Sequence, residues 1–172
     1  MGNDYSVELN AKNAAEVTTS YRKLNGKKLQ IALIDEDEMC LRVTKHKLES
    51  VYKSGVEITP YKKFEDFETE SKNVDVVVLD YMYKQQMAYT NGLSLLVKIK
   101  MMKPAPSVFM LTGHRHMHIA LQAMKSGASD FIVKGEGCYD RLAENIYQVL
   151  KKKSVGERRS SLLSLFYKRM GF

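Results

Sequence analysis

Five short β-rich runs, spaced so that helical patterns fit between them, govern what this chain can fold into. They are Leu29–Ile34, Val56–Pro60, Val74–Leu79, Ser107–Leu111 and Asp130–Val133. Three are continuously apolar, as parallel strands covered on both faces must be. Met117, Ala120, Leu121 and Met124 fall at i, i+3, i+4 and i+7, and Leu142, Ile146, Val149 and Leu150 at i, i+4, i+7 and i+8. Each set draws one apolar stripe along a helix. Asp37 is placed to cap the helix after the first run, and Gly127 to end the helix before the fifth. Five strands alternating with about five helices predict an α/β fold. The expected form is a doubly wound five-stranded parallel sheet with helices on both faces and right-handed crossovers.

In such a sheet, ligands bind outside the carboxyl ends of the strands. Polar groups follow four of the apolar runs: Asp35 and Glu36 the first, Asp80 the third, Thr112 the fourth and Lys134 the fifth. Singly, each is an ordinary strand-end residue. Together they place carboxylates, a hydroxyl and an amine at one rim. Crowded carboxylates repel, which makes a cation their natural companion, and Mg²⁺ takes one or two carboxylates plus water and phosphate oxygens. One carboxylate can then attack phosphorus to give an acyl phosphate. Thr112 can bond a phosphoryl oxygen and Lys134 can neutralise its charge.

Charge is distributed unevenly. The net +7 divides into +2 over residues 1–28, −1 over 29–150 and +6 over 151–172. A nearly neutral body with a basic tail speaks against a nucleic-acid-binding core. The tail is too short for a helix-turn-helix domain. The expected organisation is an extension over 1–28, a folded domain over 29–152 and a basic amphipathic tail over 153–172. Leu162, Leu163, Leu165, Phe166 and Met170 stand among the basic residues of that tail, and a weak helical pattern runs through residues 11–24 of the first extension. No apolar run reaches the ~18 residues of a membrane span, and the first ten residues lack the blocks of a secretory signal, so a cytoplasmic location is expected. Cys40 and Cys138 are accordingly read as reduced thiols.

The segments IALIDEDE, VVVLDY, VFMLTG and ASDFIVKG, in this order and spacing, resemble the receiver domain of two-component response regulators, the CheY-like branch of flavodoxin-like folds. The resemblance covers about residues 29–152. It implies Asp80 as phosphoacceptor, Asp35 and Glu36 as Mg²⁺ ligands beside Asp80, and Thr112 and Lys134 as phosphoryl contacts. It further implies a switch formed by Thr112 and the Phe131 ring. The implied donor is a phosphohistidine on a sensor histidine kinase or a histidine phosphotransfer protein. The implied output is a downstream protein, bound through the surface of the fourth helix, fifth strand and fifth helix, with a homodimer left open. Phosphorylation in such domains shifts a two-state equilibrium rather than starting a turnover reaction. Three features depart from the family pattern: Gly135 stands where proline usually follows the lysine, Tyr81–Asn91 is longer than the common loop, and Glu36 replaces the commoner second aspartate.

Other readings compete. A receiver-like adaptor that works unphosphorylated is motivated by Gly135 and the long loop. A phosphatase of the haloacid-dehalogenase type would use Asp35 and Asp37 as its D-x-D pair, although Met39 stands where Thr or Val is expected. His114, His116 and His118 read better as solvated helix-start residues than as metal ligands. Met1, Gly2 and Ser6 match a myristoylation pattern that the receiver resemblance, pointing first to bacteria, disfavours.

Overall fold

A computed structural model of the chain describes residues 27–82, 91–113 and 116–153, together with Glu16. In chain order the elements are β1 (Leu29–Ile34), α1 (Glu38–Tyr52), a 3₁₀ turn (Lys53–Gly55), β2 (Val56–Tyr61), α2 (Phe64–Glu70) and β3 (Val76–Leu79). There follow α3 (Gly92–Lys100), β4 (Ser107–Thr112), α4 (Met117–Lys125), β5 (Asp130–Val133) and a final helix, α5, over residues 138–153. All strand pairings are parallel, in the order β2-β1-β3-β4-β5. This is the expected five-stranded doubly wound sheet.

Alternation along each strand divides the interior in two. Leu29, Ile31 and Leu33 of β1, Val76 and Val78 of β3 and Phe109 and Leu111 of β4 face α1 and α5. Their neighbours Ala32, Ile34, Val77, Leu79, Val108 and Met110 face α2, α3 and α4. The period of two in a strand assigns successive residues to opposite faces. Every residue of β3 is buried, because the strand lies between β1 and β4 and is covered on both faces.

Local chemistry sets the element ends. Asp37 caps α1, its carboxylate accepting from the backbone N–H groups of Met39 and Cys40 at 2.8 and 3.3 Å. Asn91 does the same for α3 through Leu93 and Ser94. Gly127 follows α4 with φ 94°, a left-handed conformation suited to glycine at a helix end. The third strand starts at Val76 rather than Val74, since Asn73 turns through φ 57° and extended pairing begins only beyond it.

The helical stripes fare differently. Leu142, Ile146 and Leu150 of α5 are fully buried, as their spacing requires. On α4, by contrast, Met117, Leu121 and Met124 are 86%, 55% and 47% exposed, while Ile119 and Ala123 form the buried side. This helix carries apolar residues on two faces, and spacing alone marks both as stripes. The expectations for the N-terminal helical pattern, the myristoylation residues, His114 and the tail from residue 154 lie outside the described residues.

Candidate functional site

The carboxyl ends of β1, β3 and β5 bring Asp35, Asp80 and Lys134 together. Asp80 is anchored by a sheet bond from its own N–H to Ile34 O at 2.9 Å. Its carboxylate is almost wholly buried, with Oδ2 accepting from Met82 N at 2.8 Å. Asp80 Oδ1 has no hydrogen-bonded partner and lies 3.2 Å from Lys134 Nζ as an ion pair. Lys134 Nζ donates to Asp35 Oδ2 at 2.9 Å, and Asp35 Oδ1 accepts from Asp37 N at 2.9 Å. The lysine backbone is tied to β4 by its N–H to Thr112 O at 2.7 Å.

The electrostatics follow from this crowding. Burial pushes the Asp80 carboxyl above the usual carboxylate range, the neighbouring Lys134 charge opposes that, and the Asp35 charge reinforces it. For Lys134, burial alone favours the neutral amine. The hydrogen bond to Asp35 and the charges of Asp80 and Asp35 outweigh it, so the ammonium is held above its ordinary range.

Thr112 is fully buried at the end of β4, and Phe131 is buried in β5. Register pairs Met110 with Phe131 and Thr112 with Val133. Thr112 and Phe131 therefore share one sheet face, two positions apart on adjacent strands. Glu36 is exposed, next to the half-buried Asp35. His116 and His118 stack with ring centroids 5.5 Å apart at the start of α4.

Among the described residues, no group of three or more His, Cys, Asp or Glu side chains is arranged to hold a metal ion. Asp35 and Asp80 nonetheless fit what Mg²⁺ requires, one or two hard carboxylates with the remainder supplied by water and phosphate. They line a cleft of about 10 Å³, with Cys40, Thr44 and Leu111 on its walls. That is room for one water-sized body, and the unbonded Asp80 Oδ1 is an oxygen with capacity to spare. Asp37, the second acid of the phosphatase reading, is engaged in capping α1.

Sequence reasoning missed Cys40 and Thr44. Cys40 Sγ accepts from Lys134 Nζ at 3.6 Å, and burial pushes its thiol pKa up. Only the position of Cys40 in the first turn of α1, shortly after Asp35 and Glu36, could have signalled it.

The chain belongs to the response regulator receiver domains: the family profile of that description matches residues 31–146. It is similar to the transcriptional regulatory protein ZraR of Salmonella typhimurium, 30% identical over 83 residues, 48% of this chain and 18% of that protein. Among solved structures, it resembles a response regulator receiver domain from Clostridium thermocellum, at 27% identity and a TM-score of 0.60. That match covers 74% of this chain and 98% of the other. The BeF3-activated DrrB receiver domain shares the fold at 24% identity and a TM-score of 0.63, over 73% of this chain and 99% of that one.

Proposed function

We propose that this receiver domain accepts a phosphoryl group on Asp80 from a phosphohistidine of a sensor histidine kinase or histidine phosphotransfer protein. The observation that carries this reading is the shared Lys134 ammonium, which sits between Asp35 and the buried Asp80. An Asp80 carboxylate oxygen forms a bond to phosphorus as the phosphorus–nitrogen bond of the donor breaks. The imidazole nitrogen leaves with the electron pair and is protonated. Lys134 stabilises the charge on the phosphoryl oxygens, which is most of what phosphoryl transfer asks of a protein. Asp35, Glu36 and Asp80 are the residues that would hold Mg²⁺. The metal, when bound, neutralises phosphoryl charge. Apart from the assistance to its own phosphorylation, the domain is a switch and not a turnover enzyme.

Thr112 and Phe131 are the coupled pair that would report the modification, since they lie on one sheet face beside α4. The readout is proposed as the surface of α4, β5 and α5, where Met117, Leu121 and Met124 form an exposed apolar ridge for a downstream protein or a second copy. We place the receiver unit at residues 29–152 and the protein in the cytoplasm. Among the described residues no helix is long and apolar enough to cross a membrane.

The test is intact mass after incubation of the full chain with acetyl phosphate and Mg²⁺. One acid-stable, base-labile phosphoryl adduct is expected on wild type and none on Asp80→Asn. An adduct that persists in Asp80→Asn would refute the assignment. Failure of wild type with both acetyl phosphate and a phosphorylated donor protein would favour the unphosphorylated adaptor.

A further inference from the structure

An ammonium has three N–H groups to place, and around Lys134 there are three electron-rich groups, two that it hydrogen-bonds and one that it ion-pairs. Two are the carboxylates of Asp35 and Asp80, at 2.9 and 3.2 Å. The third is the Cys40 sulfur at 3.6 Å, within hydrogen-bonding range for sulfur. Cys40 is held in turn from the N-terminal side of α1, its backbone N–H bonded to the Asp37 carboxylate at 3.3 Å. Its sulfur lines the same narrow cleft as Asp35 and Asp80.

We propose that Cys40 is a positioning residue for phosphoryl transfer, its sulfur keeping the Lys134 ammonium at the mouth of the site while the two carboxylates change partners. This rests on the reading of Asp80 as acceptor. A phosphoryl group consumes the Asp80 oxygen, and a cation draws on Asp35, so both charged contacts of Lys134 are exchanged during the reaction. The contact to sulfur is exchanged with neither. Sulfur is large and polarisable, so its weak hydrogen bond tolerates shifts of the ammonium that a short oxygen contact would not. An aliphatic side chain at this position would fill the same space and offer no acceptor.

The experiment uses the full chain with Cys40→Val, Cys40→Ser, Lys134→Met and the Cys40→Val, Lys134→Met double variant. Initial rates of adduct formation are measured with acetyl phosphate and Mg²⁺, after thermal melting confirms that each variant is folded. Loss of one modest hydrogen bond predicts that Cys40→Val slows the reaction about fivefold. Cys40→Ser, which keeps an acceptor, is expected within about twofold of wild type. In the Lys134→Met background, Cys40→Val is expected to change nothing, because residues that act through one another are not additive. Equal rates for wild type and Cys40→Val, or the same slowing in both backgrounds, would overturn the proposal. A second readout is independent of phosphorylation: the ¹⁵N-detected ammonium signal of Lys134 should be protected from solvent exchange in wild type and Cys40→Ser, and exchange faster in Cys40→Val. Undiminished protection in Cys40→Val overturns the sulfur contact by itself. A wild type that takes no phosphoryl group while showing the ammonium signal would instead overturn the acceptor reading.

Discussion

Gly92 is the position where one added methyl group tests how Asp80, the proposed phosphoacceptor, is supported. Built at this residue, a Cβ would lie 2.5 Å from the Asp80 carbonyl oxygen, 2.7 Å from Tyr81 Cα and 3.1 Å from Met110 Cε. The methionine can move aside, but the backbone cannot easily do so. Gly92 N donates to Tyr81 O at 3.0 Å, and Asp80 N is bonded into the sheet at 2.9 Å. Carbon–oxygen approaches are comfortable only beyond about 3.3 Å, so α3 and the Asp80–Tyr81 backbone must separate by roughly 0.8 Å. Overpacking of this kind costs about 1–3 kcal/mol. Replacing glycine in a helix returns at most about 1 kcal/mol, and less in the first turn. Gly92→Ala is therefore expected to destabilise the chain by about 1–2 kcal/mol, lowering Tm by roughly 3–6 °C. Displacement of Asp80 should slow adduct formation by about tenfold or more, since catalytic geometry is sensitive to shifts below 1 Å. Urea unfolding gives the first quantity and timed intact-mass measurement the second. Gly113→Ala is the control, because a Cβ there meets nothing within 4 Å. If Gly92→Ala matched Gly113→Ala in both assays, the close approach would not support Asp80 as argued.

Burial raises the Asp80 pKa in the folded state above its ordinary 3.8. The folded chain therefore holds this proton more tightly than the unfolded chain does, and stability falls as pH rises from the unfolded value through the folded one. Asp80→Asn removes that loss, so its urea midpoint should gain on wild type as pH rises above the ordinary carboxylate value of 3.8; a gain by wild type over the same rise would reverse the sign of the argument. Tyr52 donates its buried hydroxyl to the Ala143 carbonyl, joining α1 to α5. Tyr52→Phe should cost about 1 kcal/mol in urea unfolding with an unchanged slope, and an unaltered midpoint would show that the bond contributes nothing net.

The sheet was legible because three of its strands are continuously apolar runs and four are followed by a polar residue at the strand end. Leu29–Ile34 and Asp130–Val133 were expected with the observed limits, and Asp37 caps through its carboxylate while Gly127 ends α4 through its freedom at positive φ. The convergence of Asp35, Asp80 and Lys134 was likewise readable, because β1 and β3 are neighbours and β5 ends at the same rim beyond β4, within reach of a lysine side chain. The orientation of α4 was not. Its Met117, Leu121 and Met124 satisfy helical spacing as well as Ile119 and Ala123 do, and only packing against the sheet decides between them. The Cys40 contact was hidden for a different reason: it joins residues 94 positions apart, and neither residue type alone suggests the pairing. The role of Gly92 was hidden as well, since the close approach it permits is a property of two backbones.

The division of the interior by the sheet bears on how such a chain can change over time. Phe131 and the residues under α4 pack in one compartment, whereas α1 and α5 rest on the other. A substitution beneath α1 is felt by α5, through contacts such as Tyr52 to Ala143, but meets few of the side chains beneath α4, so the two halves of the proposed output face can drift by separate histories. Grafting the α2–α4 layer of another receiver onto this sheet would exchange one interior wholesale and leave the other in place. Distant sites with no shared partners behave independently, and here a single layer of backbone is the partition that keeps them so.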